Sequence, residues 1–195
     1  MIDLKKLLVL TAAIPLLLLC GCNGYCEIDR GYLATAIGIS QNANKTCIYI
    51  EAVSSQALGD KSSQSVVLSQ EGSDFASAYK GLTENLIKPV YFKQLGTVVF
   101  DIAVSDKFIE SSLDGLDGLD GTNLGIYLVK TNSVSSLFEA KQEGAILGYD
   151  IIGLIKNYEK ENDTALSNQL YQYNRGGSAL PLINTDGEKL ILNVG

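Results

Sequence analysis

The sequence predicts an α+β fold in which a mixed sheet is packed by several helices within a single domain. Runs rich in β-branched and aromatic residues recur along the chain, and other stretches repeat apolar residues at helical spacing. The two kinds of segment do not alternate strictly. Because strict alternation is typical of a doubly wound parallel sheet, this order favours the α+β class.

The first predicted unit is a β-hairpin. Residues 32–39 and 47–53 have strand character, and the polar residues 41–45 between them contain two asparagines. Two strand-like runs around such a turn predict an antiparallel pair. A Ser-rich loop, residues 54–65, then leads to a short third strand around Val67.

A helix is predicted from residue 73 to residue 87. Its apolar residues recur at spacings of four, three and four, which places them on one helix face: Phe75, Tyr79, Leu82 and Leu86. Ser73 is the predicted N-cap, and Pro89 lies just past the predicted end.

The rest of the chain predicts a mixture of strands and helices. Strands are expected at residues 96–100, 124–129, 179–182 and 189–192, and helices at residues 105–113, 133–141, 147–160 and 164–173. The triplet Leu-Asp-Gly occurs three times over residues 113–121, which spaces Asp114, Asp117 and Asp120 by three. Calcium loops place their ligands at alternating positions and close with Glu, so a solvated turn or frayed helix end is favoured over a calcium site.

Residues 1–21 are predicted to be a signal peptide. Lys5 and Lys6 precede an uncharged apolar run over residues 7–19, which contains Pro15. The run is shorter than the ~20 apolar residues that a membrane span requires, and it fits the core of a secretory signal.

The end of this run resembles a bacterial lipobox. Leu19, Cys20 and Gly21 precede Cys22, so Cys22 has a small residue before it and Leu three positions upstream. This register makes Cys22 the predicted site of lipidation by acyl chains such as palmitate, and Cys20 leaves with the signal peptide. A zinc or redox cluster and an uncleaved anchor are the alternatives; the former is disfavoured because the chain has no histidine.

Composition narrows the possible partners and compartments. The chain carries 15 basic and 22 acidic residues, and loss of residues 1–21 removes Lys5, Lys6 and Asp3, which leaves a net charge of −8 on residues 22–195. An acidic domain lacks the basic face that nucleic acid requires, so no nucleic-acid partner is expected. Export would allow Cys26 and Cys47 to form a disulfide, and two unpaired thiols are the alternative.

No catalytic site is predicted from the sequence. Phosphate-binding loops, dinucleotide fingerprints and nucleophile elbows are absent, and without histidine the usual general base and metal ligand are missing. The pair Glu159 and Glu161 lies in a charge run that is typical of a solvated helix end. We therefore expect a protein that is not an enzyme and has no metal or other cofactor.

Several segments in order resemble the C-subunit lipoproteins of spore germinant receptors, the GerAC-like family. After the lipobox come the acidic triplet at 27–29 and the strand at 32–39, which is similar to the family's Ala-Ile-Gly-Ile strand. The helix at 75–82 leads into the segment 89–100, and residues 177–182 are similar to the family's approach to its next domain. Asn23 and Gln94 stand where the family has Trp and His.

The resemblance implies a function and a location. It implies an accessory (C) subunit that is lipid-anchored on the extracytoplasmic face of a membrane such as the spore inner membrane, with integral-membrane A and B type subunits as partners. Family members continue into further domains, whereas this sequence ends at Gly195, so residues 22–195 match the N-terminal domain alone. A solute-binding lipoprotein of a transporter is the alternative function.

Overall fold

The predicted hairpin is the first part of the sheet. The computed structural model describes residues 31–54, 65–119, 121, 125–140, 145–162, 180–186 and 189–194. Its elements in chain order are β1 (Tyr32–Asn42), β2 (Lys45–Ser54), β3 (Ser65–Gly72), α1 (Phe75–Glu84), β4 (Val90–Tyr91), β5 (Thr97–Asp101), α2 (Asp106–Asp117), β6 (Tyr127–Thr131), α3 (Val134–Glu139), α4 (Leu147–Asn162), β7 (Leu182–Asp186) and β8 (Lys189–Asn193).

The described strands form one mixed sheet. Across the sheet they lie in the order β3, β2, β1, β5, β6, β7, β8, and the short β4 pairs with the start of β1. The β3–β2–β1 and β7–β8 pairs are antiparallel, while β1, β5, β6 and β7 are mutually parallel neighbours. The α+β prediction is confirmed.

Helices cover both faces of the sheet, so the domain has three layers. On one face α1 and α2 pack through Phe75, Leu82, Ile109 and Leu113. On the other face α3 and α4 pack through residues such as Phe138 and Ile151. Residues of β1 and β5 belong to both hydrophobic clusters. These two central strands therefore contribute to the core on each face of the sheet.

A β-bulge at Thr35 changes the face to which β1 directs its side chains. The register with β2 shifts between Ala34 and Ala36, so Thr35 is left without an opposite residue. Side chains normally alternate along a strand. The extra residue explains why Ala34 and Ile37, three positions apart, belong to the same core, while Ala36 belongs to the core on the other face.

The first helix is shorter than predicted at both ends. Asp74, not Ser73, is the N-cap, because the Asp74 carboxylate accepts the Ser77 backbone N–H at 2.7 Å in a capping box. The helix ends at Glu84, where the Asn85 side chain donates to the Gly81 carbonyl at 2.8 Å and closes the last turn. The prediction that the helix reaches residue 87 is wrong for that reason.

Other helices and strands begin or end a few residues from their predicted positions. Helix α2 extends through Asp117 because Leu113 and Leu116 of the triplet repeat are both buried in the core. Strand β6 begins at Tyr127 and ends two residues later than predicted. The helix predicted at 164–173 and the loop at 55–64 fall outside the described residues.

Candidate functional site

The cysteines predicted to carry function are only partly within the structure. Cys22, the predicted lipid acceptor, and Cys26 lie outside the described residues. Cys47 lies in β2 as a half-buried free thiol, and its pairing with Cys26 stays a prediction. Burial raises the pKa of the neighbouring Tyr49 to about 12, and the hydrogen bond between its hydroxyl and the Cys47 thiol adds to this effect.

The described chain starts at a corner formed by β1, β4 and the turn that follows α1. The Tyr32 backbone N–H donates to the Pro89 carbonyl at 2.9 Å, and Tyr32 pairs with Val90 in the parallel β1–β4 ladder. The Lys88 ammonium lies 5.9 Å from the centre of the Tyr32 ring, within the range of a cation–π contact. Ile87 beside it is fully exposed. We call Tyr32, Ile87, Lys88, Pro89 and Tyr91 the β1–β4 corner.

A buried carboxylate lies on the neighbouring strand. The Glu51 side chain in β2 is 0% exposed. Its Oε1 accepts from the Ser65 hydroxyl at 2.9 Å and from the Leu147 backbone N–H at 2.8 Å, and its Oε2 accepts from the Thr35 hydroxyl at 2.6 Å and from the Gly148 backbone N–H at 3.0 Å. Glu51 therefore binds the first turn of α4, where the helix dipole favours a negative charge.

The bulge in β1 and the start of α4 fit directly against each other. Besides its hydroxyl bond to Glu51, Thr35 accepts the Gly96 backbone N–H through its carbonyl at 3.1 Å. The Thr97 hydroxyl donates to the Gly148 carbonyl at 3.2 Å. A Cβ at Gly148 would come within 2.4 Å of the Thr35 carbonyl oxygen, so only glycine permits this approach. These contacts position α4 on the sheet.

Helices α1 and α2 flank a cavity of about 380 Å³ with a mixed polar and apolar lining. The hydroxyls of Thr46 and Ser112 lie at its buried floor, and neither has a hydrogen-bond partner among the described residues. Asp74 and Ser111 line its exposed rim. The volume is within the range of small-molecule sites, and the lining offers hydroxyls and one carboxylate but no cation in the described part of the chain.

Carboxylates with perturbed pKa values often mark functional sites, so Asp101 and Asp150 were the other candidates. Burial raises the pKa of Asp101, while its carboxylate accepts the Val134 backbone N–H at 2.7 Å and thereby caps α3. The pKa of Asp150 is raised by burial and then by the charge of Glu51. Both groups have structural surroundings that account for their shifts.

The described ranges contain neither a cluster of potential metal ligands nor a helix that could span a membrane. Three or more potential metal ligands do not come together there. Asp114 and Asp117 of the triplet repeat lie on the exposed side of α2, and Asp120 lies outside the described residues. Among the same residues, no helix has the length and apolar character needed to cross a membrane.

Comparison with known families gives the decisive observation. The model of the spore germination protein N-terminal domain matches residues 24–184, more than four-fifths of the chain. The chain belongs to this family. The resemblance to GerAC-like proteins is thereby confirmed, and a role in spore germination follows. The spore germination family match spans every described element from β1 to the start of β7. No curated protein and no solved structure matches the chain.

Sequence reasoning missed three residues of this GerAC-type domain. Glu51 could have been found as a charged residue within an otherwise apolar strand, where burial requires polar partners. Ile87 was placed at the end of a helix and Lys88 just past it, and nothing in their spacing indicated that Ile87 would be exposed. Their position depends on where α1 ends, which is decided by Asn85.

Proposed function

We propose that this protein is a lipid-anchored accessory (C) subunit of a spore germinant receptor, which acts on the extracytoplasmic face of a membrane. The observation that carries the proposal is the family match over residues 24–184. The lipobox that ends at Cys22 supports the anchor, because a diacylglyceryl group supplies the two acyl chains that stable membrane attachment requires.

The subunit works by binding integral-membrane A and B type subunits, not by chemistry. The buried Glu51 and the half-buried Asp101 carboxylates bind backbone N–H groups at the starts of α4 and α3. Both carboxylates therefore have structural surroundings, which supports a role in binding over one in chemistry. Tethering confines it near its membrane partners, which raises its effective concentration and makes even a weak contact effective.

The alternative, a solute-binding lipoprotein of a transporter, predicts two lobes around a cleft. The described residues instead form one sheet with helices on both faces. The cavity between α1 and α2 is also lined by Gln41 of β1 and Thr46 of β2, so it lies between helices and sheet of this one domain. The architecture therefore favours the receptor subunit over the transporter component.

Complementation of a deletion strain tests the proposal. Spores that carry the wild-type gene are expected to respond to germinant, whereas spores that carry Cys22→Ala are expected to respond as poorly as the deletion strain. Cys20→Ala is the matched control and should germinate normally, because Cys20 leaves with the signal peptide. Normal germination of the Cys22→Ala spores, at equal protein level, would contradict the anchored-subunit function.

A further inference from the structure

The β1–β4 corner brings together a fully exposed isoleucine, a lysine and two tyrosines. Ile87 is fully exposed, and the next most exposed large apolar residue in the described chain, Ile102, is only 50% exposed. Ile87 lies in a turn, where Gly, Pro, Asn, Asp and Ser are the residues that turn geometry favours. The turn itself therefore gives no reason for an isoleucine at this position.

The charge and the aromatic groups at the corner complement a lipid surface. Lys88 has no ion-pair partner in the described part of the chain, and its ammonium lies over the Tyr32 ring. The Tyr91 ring lies directly against the Gly31 backbone, so the corner contains a second tyrosine next to the start of β1. Tyrosine is enriched at membrane–water interfaces, where its ring is in apolar surroundings and its hydroxyl is in water.

The sequence places this corner close to the anchor. Only nine peptide units separate Cys22 from Gly31, where the described chain begins. A fully extended chain of that length spans at most about 30 Å. The corner lies at the end of the sheet where β1 starts, and Ile102 follows β5 at the opposite end, since β5 is parallel to β1. If Cys22 is in the bilayer, the end that carries Ile87 is the one held near the membrane.

We propose that Ile87 and Lys88 dock the domain on the lipid bilayer surface. This inference rests on the proposed lipid anchor at Cys22. The Ile87 side chain inserts below the headgroups, and the Lys88 ammonium binds a lipid phosphate. Burial of one isoleucine favours the docked orientation about 10- to 100-fold, and one lysine near an anionic surface adds about fivefold. Contacts of this size cannot hold an acidic protein on a membrane alone, but they fix the orientation of a tethered one.

Tryptophan fluorescence can test the docking, because the chain contains no tryptophan. The full-length lipoprotein is placed in vesicles of phosphatidylethanolamine and phosphatidylglycerol with brominated acyl chains, as the variants Ile87→Trp and Ile102→Trp. Both substitutions replace an exposed isoleucine, so folding is not at risk. The Ile87→Trp protein is expected to emit at shorter wavelength and lose most of its fluorescence to the bromines, whereas Ile102→Trp stays unquenched. Adding Lys88→Gln to Ile87→Trp should lower the docked-to-undocked ratio about fivefold.

Flotation of the same vesicles separates the two ways in which the test can fail. Protein that floats with the vesicles but shows equal, weak quenching at both positions overturns the docking and leaves the anchor intact. Protein that does not float overturns both, since the anchored state does not form. Protection of position 87 that arises only when integral-membrane receptor subunits are included also overturns the lipid contact, and assigns the corner to a protein partner.

Discussion

The Glu51 carboxylate in β2 accepts the backbone N–H of Leu147 at 2.8 Å, a contact that joins residues 96 positions apart. Through it, the first turn of α4 is bound to strand β2 of the sheet. A charged group is costly to bury unless hydrogen bonds and dipoles compensate for lost water. Here the N-terminus of α4 supplies both, so Glu51 helps to position the longest described helix.

Glu51→Gln should destabilise the domain by about 1–3 kcal/mol. An amide retains one oxygen but directs its NH2 group at a backbone N–H of Leu147 or Gly148, so two donors face each other. Urea unfolding of the 23–195 fragment measures the change. Glu110→Gln, at an exposed position of α2, is the control and should stay within about 0.5 kcal/mol. If the two variants lower the free energy of unfolding equally, the contact of Glu51 with α4 does not stabilise the domain.

Two glycines of α4 should respond oppositely to alanine. Gly148→Ala places a methyl group against the Thr35 carbonyl, with 2.4 Å to its oxygen, and overpacking against backbone should cost about 1–3 kcal/mol. Gly153→Ala meets nothing within 4 Å, so the better helix propensity of alanine should stabilise the domain by up to about 1 kcal/mol. Thermal unfolding of both variants checks the pair. A stable Gly148→Ala protein would mean that α4 lies farther from the bulge.

The sequence was sufficient for those features of the fold that depend on local periodicity. The hairpin of β1 and β2, the buried strand β5 and the core face of α1 follow from the spacing of their apolar residues. The change of face along β1 depends on the Thr35 bulge, which has no local signature. Glu51 can be buried because it binds Leu147 and Gly148. These residues are distant from Glu51 in sequence, so local sequence patterns do not reveal the contact.

The capping box of α1 should contribute to acid sensitivity. The backbone N–H of Ser77, then the Ser77 hydroxyl, hold the pKa of Asp74 below its ordinary value of 3.8. A lowered folded-state pKa stabilises the fold above the unfolded pKa, and this contribution is lost as the pH falls through the folded value. Between pH 5 and pH 2, wild-type protein should therefore lose more unfolding free energy than Asp74→Asn, whose amide still caps the helix. Parallel pH curves would contradict this.

Lipidation should depend on Cys22 alone among the three N-terminal cysteines. In cells fed radiolabelled palmitate, Cys22→Ala should lose the label, because the thiol that accepts the diacylglyceryl group is gone. Cys20→Ala and Cys26→Ala are the matched controls and should keep most of it. Label that persists in Cys22→Ala would assign the anchor to another residue and remove the basis for the lipobox register.

The central claim, that this domain acts by binding membrane-embedded receptor subunits, is tested most directly by crosslinking in sporulating cells. Wild-type protein and Cys22→Ala are crosslinked at equal abundance and isolated, and the co-encoded integral-membrane subunits are quantified in each sample. We expect capture by the wild type and a large loss in Cys22→Ala, because the tether supplies the effective concentration. Absence of those subunits from the wild-type sample, or turnover of a substrate by the purified domain, would contradict the account.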